Sequence, residues 1–171
     1  MVIIMARQND RKLTYLQRGK PGITPKKIRG NPLLEGLQMT KKLKGLLKKL
    51  DNGSEDVRLR ALEKLCEDKN EQVVVAGLYQ ALKNENFWVR HHAVKKWKEC
   101  LREGIELGKT FPVIVRCIAD STELVREEAK DAVLSGMIMH REQMISALID
   151  ATEDNFIGRH IEIFIGKHCQ R

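Results

Sequence analysis

The sequence is poor in the residues that interrupt helices and in the groupings that build catalytic or cross-linked sites. Only four prolines fall in 171 residues, which leaves long stretches free to be helical. The four cysteines, Cys66, Cys100, Cys117 and Cys169, lie far apart and form no C-x-x-C pair. A disulfide framework or a zinc site is therefore not expected, and reduced thiols in the cytoplasm are the reading that follows. No apolar run approaches the roughly 18 residues that a membrane span needs. The opening Met1-Val2-Ile3-Ile4-Met5 is apolar but short. It has no basic stretch ahead of it and no small-residue cleavage site behind it, which argues against a secretory signal. Gly-rich phosphate loops, nucleophile elbows and Ser/His/Asp arrangements are missing, so neither an enzyme nor a cofactor is expected. His160 and His168 share a helical face with Phe164, but two turns separate the histidines where a metal pair needs one. No metal is expected.

Apolar residues make up 42% of the chain and charged ones 32%, an ordinary balance for one globular domain or a short solenoid. The charge is not evenly spread. Residues 1–50 hold 13 Lys and Arg against 2 acids, a net of +11, and the remainder holds 18 against 21, a net of −3. The overall +8 thus belongs to the first third of the chain.

One pattern recurs beyond that basic start. Val57-Arg58-x-x-Ala61 returns as Val89-Arg90-x-x-Ala93 and Val125-Arg126-x-x-Ala129, and in worn form as Ile157-Gly158-x-x-Ile161, at spacings of 32, 36 and 32 residues. Self-similarity at that period marks a repeat array. Each unit reads as helix, turn, helix. Leu43-x-x-Leu46-Leu47-x-x-Leu50 precedes the turn Asn52-Gly53-Ser54, whose Gly suits a positive φ and whose Ser suits a helix cap. The turns Asn84–Asn86, Asp120–Thr122 and Asp150–Asp154 follow in the later units. The small side chain at Ala61, Ala93 and Ala129 suits close helix approach. The four extra residues of the longer period fall in Gly104–Gly108, where the glycines and Pro112 interrupt the helix. A first helix from Pro32, capped by Asn31, is expected to run on to Leu50.

Leu-x-x-Leu-Leu-x-x-Leu, a polar turn and Val-Arg-x-x-Ala together resemble the HEAT repeat over roughly residues 40–166. The resemblance implies an all-α fold: an α-α superhelix of about four helical hairpins, in units 32–68, 71–103, 110–136 and 140–168 behind a basic arm of residues 1–31. It also implies a ladder in which a turn acid bonds a helix arginine of the neighbouring unit, placing Asp51, Asp120, Arg58, Arg90 and Arg126 as rungs. Asn84 and Gly158 depart from that pattern and imply gaps. HEAT proteins that hydroxylate deoxyhypusine carry His-Glu dipeptides for iron, and this chain has none. Families similar in architecture include alkylated-base DNA glycosylases and bilin lyases, but no motif of either can be placed here.

The repeated arginines read as structural, because a fixed repeat position suits unit-to-unit bonding better than a nucleic-acid stripe. Trp97 matches Leu65, Val133 and Ile165 and reads as core. Trp88 matches Leu124 and Phe156, which favours packing between units, although aromatics among basic residues also suit nucleic acid. His91, His92, Lys95 and Lys96 have no such packing explanation and are expected, with Lys98, on the exposed face of their helix, a candidate partner surface with Trp88, with a plain solvated face as the rival reading. The arm carries Arg7, Arg11, Lys12, Arg18, Lys20, Lys26, Lys27 and Arg29, and the helix after it carries Lys41, Lys42, Lys44, Lys48 and Lys49. That is the footprint of a polyanion-binding surface, with a solubilising tail or an anionic membrane as rivals. The reading is a non-enzymatic scaffold that grips a protein partner on its second helices. The alternative is a nucleic-acid-binding protein whose track joins the arm, Lys41–Lys49 and the His91–Lys98 patch.

Overall fold

The computed structural model of the chain describes residues 31–168, which form eight α-helices and no strand. The helices are α1 (Lys41–Asn52), α2 (Glu55–Cys66), α3 (Glu71–Leu82), α4 (Phe87–Arg102), α5 (Phe111–Arg116), α6 (Glu123–Met139), α7 (Arg141–Thr152) and α8 (Asn155–His168). The expected arm, with Arg7 through Arg29, lies outside the described residues.

The helix starts follow local capping chemistry. Thr40 accepts from the Leu43 amide at 3.2 Å to open α1. Asn70 accepts from Gln72 N to open α3, and Asn86 accepts from Trp88 N and Val89 N to open α4. Each satisfies amides that the first helical turn leaves unpaired. The long first helix expected from Pro32 does not form. Asn31 does cap, accepting from Leu33 N, but what it caps is the single 3-10 turn Pro32–Leu34. The chain then turns at Gly36 with φ 78° and restarts behind Thr40.

Two further turns differ from expectation in their cause. Gly53 has an ordinary φ of −78°. A Cβ there would lie 2.6 Å from both the Lys49 carbonyl oxygen and Val57 Cγ1, so the turn needs glycine for close approach and not for handedness. Ser54 stands at the start of α2 without a side-chain cap bond. Gly104, at φ 82°, closes α4 as the sequence suggests. Its N–H bonds to Leu101 O and that of Ile105 to Cys100 O, the paired closure of a helix ending on a left-handed glycine. Pro112 does not interrupt a helix: it sits in the first turn of α5, where its missing N–H costs nothing.

Successive helices pack on each other from α1 to α4 and again from α5 to α8, and so do alternate ones: α1 on α3, α3 on α5, α5 on α7, and α2 on α4, α4 on α6. The odd and even helices therefore make two layers with the core between them. Ala61, Ala93 and Ala129 are buried where the layers meet. Trp97 is fully buried, packs edge-on against Phe111 at 5.7 Å, and donates from Nε1 to Thr110 Oγ1 at 2.7 Å. Ile165, expected in the core with Leu65, Trp97 and Val133, is instead 41% exposed, and Phe164 turns inward in its place. The three counterparts are covered by helices that follow them, and no described helix follows α8.

Candidate nucleic-acid interface

Two of the three repeated arginines are consumed inside the fold. Arg90 donates from Nε and Nη2 to the two carboxylate oxygens of Asp120 at 2.7 and 2.9 Å, and from Nη1 to the carbonyls of Asn84 and Glu85. Arg58 donates from Nε to Gly53 O at 2.7 Å, from Nη1 to Asn84 Oδ1 at 2.8 Å and from Nη2 to Glu85 Oε1 at 2.6 Å. A bidentate guanidinium satisfied in this way has little left for a ligand.

The expected ladder is corrected at three places. Asn84 is not a gap: buried at 5% exposure, it takes the Arg58 bond and also donates from Nδ2 to Leu50 O at 2.9 Å. Asp51 is not a rung. It is exposed at the end of α1, because Arg58 reaches forward to the Asn84–Glu85 turn and no described unit precedes α1 to supply another arginine. Arg126 donates to the carbonyl of Asp120 in the turn before its own helix and so makes no forward rung.

The patch expected over His91–Lys98 is largely dismantled. His91 is 6% exposed, packed between α4 and α6 with Nε2 3.8 Å from Glu128 Oε2 and Nδ1 unbonded. At the same repeat position Leu59 is half-buried, while Glu127 and Arg159 are exposed. Burial pushes its pKa down, Lys95 adds to that, and Glu128 opposes it. Lys98 pairs with Glu128 at 2.5 Å and Lys96 with Glu99 at 2.6 Å. That leaves His92, Lys95 and Trp88 open. Trp88 does not pack between units. It is 39% exposed, with its ring 4.9 Å from that of Phe87, and its counterparts Leu124 and Phe156 are similarly open.

The lysine helix is the contrast. Leu43, Leu47 and Leu50 of α1 are buried, while Lys41, Lys42, Lys44, Lys48 and Lys49 are all exposed. No ion pair among the described residues involves α1. Because its apolar stripe is used by the core, α1 has no apolar face left to lay on a membrane.

Beside these lysines runs a groove of about 260 Å³ between α1 and α3, lined by Asn31, Leu34, Met39, Lys44, Leu47, Lys48, Asp51, Tyr79 and Gln80. Asn31 is fastened there by its Nδ2 bond to Ala76 O at 2.8 Å. The described chain therefore begins at the rim of the lysine face. The repeat register did not reveal this groove. The one available signal was Gln80, a polar residue in the otherwise apolar second half of α3.

The thiols bear on chemistry only weakly. The thiols of Cys66 and Cys100 shift each other, Cys66 up and Cys100 down, and burial pushes Cys117 up to about 12. Among the described residues no three His, Cys, Asp or Glu side chains gather as a metal site would require, and no helix is long and apolar enough to cross a membrane. Comparison with protein-family models, with curated proteins and with solved structures gives no match.

Proposed function

We propose that this is a non-enzymatic helical-repeat binding protein of the HEAT type that attaches to nucleic acid through α1 and the basic arm. The observation that carries the proposal is the unpaired lysine face. Five exposed ammonium groups stand on one 12-residue helix with no acid among the described residues bonded to them, while Arg58, Arg90, Lys96 and Lys98 are each paired with an acid. Like charges held together on a rigid helix repel one another unless an anion shares them. A phosphate backbone is the polyanion whose regular charge matches such a row, and releasing its counterions drives the binding.

Filter binding against salt tests this. The expected outcome is a steep linear fall of log affinity with log salt, made shallower by deleting residues 1–30. No binding at about 50 mM salt would end the proposal.

A protein partner on the even helices is the second reading. It is favoured by Trp88, Leu124 and Phe156, three half-exposed apolar residues at one repeat position. A partner captured from nuclease-treated lysate by the wild type and lost on Trp88→Ser would support it. Capture that survives Trp88→Ser would count against it.

A further inference from the structure

We infer that the groove between α1 and α3 seats one nucleotide of a single-stranded nucleic acid, its phosphates on Lys44 and Lys48 and its base against Tyr79 and Gln80. The inference rests on the nucleic-acid reading and adds the strand form it requires.

The groove has two chemically distinct parts. Lys44 and Lys48 lie one turn apart on α1, with their ammonium groups free of any ion pair among the described residues, and a phosphodiester needs no more than that. Below them lie Leu34, Met39, Leu47 and the half-buried Tyr79, a surface suited to a flat ring. Lys83 donates to the Tyr79 hydroxyl at 2.7 Å and holds its ammonium 4.2 Å from the ring centroid, adding a third positive charge beside the aromatic. Asp51 is the one acid in the lining.

Gln80 makes this a built site and not a dent between side chains. It is 8% exposed in a helix whose neighbouring residues are apolar, and its Nε2 is committed to Leu47 O at 3.3 Å. A carbonyl can only accept, so the amide orientation is fixed and Oε1 faces away as an acceptor. No bond to Oε1 is made among the described residues. A base with an exocyclic amino group or ring N–H supplies the matching donor. A duplex cannot present a base edge and a ring face to a groove of this size, whereas an unpaired base can.

Fluorescence anisotropy of the full chain at about 50 mM salt decides the matter, using a short labelled RNA strand and the duplex of the same sequence. The strand is expected to bind more tightly than the duplex. Tyr79→Ala should weaken the strand about tenfold and leave the duplex unchanged, while Tyr79→Phe, which keeps the ring, should bind as the wild type does. If circular dichroism shows Tyr79→Ala to be misfolded, Tyr79→Leu takes its place with the same expectation. Strand and duplex bound alike, with neither Tyr79 variant having an effect and a Lys41→Gln/Lys42→Gln variant weakening both, would overturn the groove and leave the lysine face standing. No binding of either would overturn both.

Discussion

Arg58 and Asn84 are joined across 26 residues by a bond of 2.8 Å from Nη1 to Oδ1, while the same Asn84 side chain donates to Leu50 O at 2.9 Å. One buried amide thus ties the end of α1, the start of α2 and the turn after α3. An aspartate, which the repeat pattern favours at this position, could accept from Arg58 but could not donate to Leu50 O.

Asn84→Asp should therefore destabilise the protein. It leaves a buried carbonyl without its donor and sets a carboxylate against it, a loss of about 1–3 kcal/mol. Urea denaturation measures the change. An unchanged or raised midpoint would mean that the Arg58 pairing outweighs the lost donor.

Ala93→Leu should also destabilise. Ala93 is fully buried between the layers, and added methylenes in a filled core cost about 1–3 kcal/mol. A Tm equal to that of the wild type would show that the helices are not in the contact described.

His91 makes the fold acid-sensitive. Its pKa lies below the ordinary 6.5 in the folded chain, so the unfolded chain takes up a proton that the folded chain resists. Stability is full above about pH 6.5 and falls as the pH drops through that value toward the folded pKa. Glu128 favours the proton, while Lys95, His92 and Lys98 and the burial oppose it. His91→Leu, which copies Leu59 at the matching position, should lose less Tm than the wild type between pH 7.5 and pH 5.5. Parallel pH profiles would contradict the assignment.

What the sequence could convey depended on how far each signal was periodic. The inward Val89 and Val125 and the small Ala61, Ala93 and Ala129 could be read directly, because a repeat prints its packing positions several times over, whereas Val57, the first of the series, is 37% exposed. Trp97 could be placed in the core for the same reason. His91 could not, since nothing in its one-dimensional context shows that α6 lies over it. Charge pairing was equally hidden: Lys98 and Glu128 lie 30 residues apart and meet only once α4 packs on α6. The α1–α3 groove depends on Gly36 breaking the first helix and on Asn31 docking beneath α3, neither of which carries a periodic trace.

The lysine face itself is the central claim, and the salt dependence of nucleic-acid binding by a charge-swapped pair of variants tests it most directly. In one variant Lys41, Lys42, Lys44, Lys48 and Lys49 become Gln. In the other the exposed Lys64, Lys69, Arg102, Lys109 and Arg141 become Gln, so that the net charge of the two is the same. The first variant should show a slope of log affinity against log salt shallower by about 0.7 for each lysine that contacts a single-strand phosphate, and the second should keep the wild-type slope. Equal slopes in the two variants would mean that net charge, and not α1, governs the attachment.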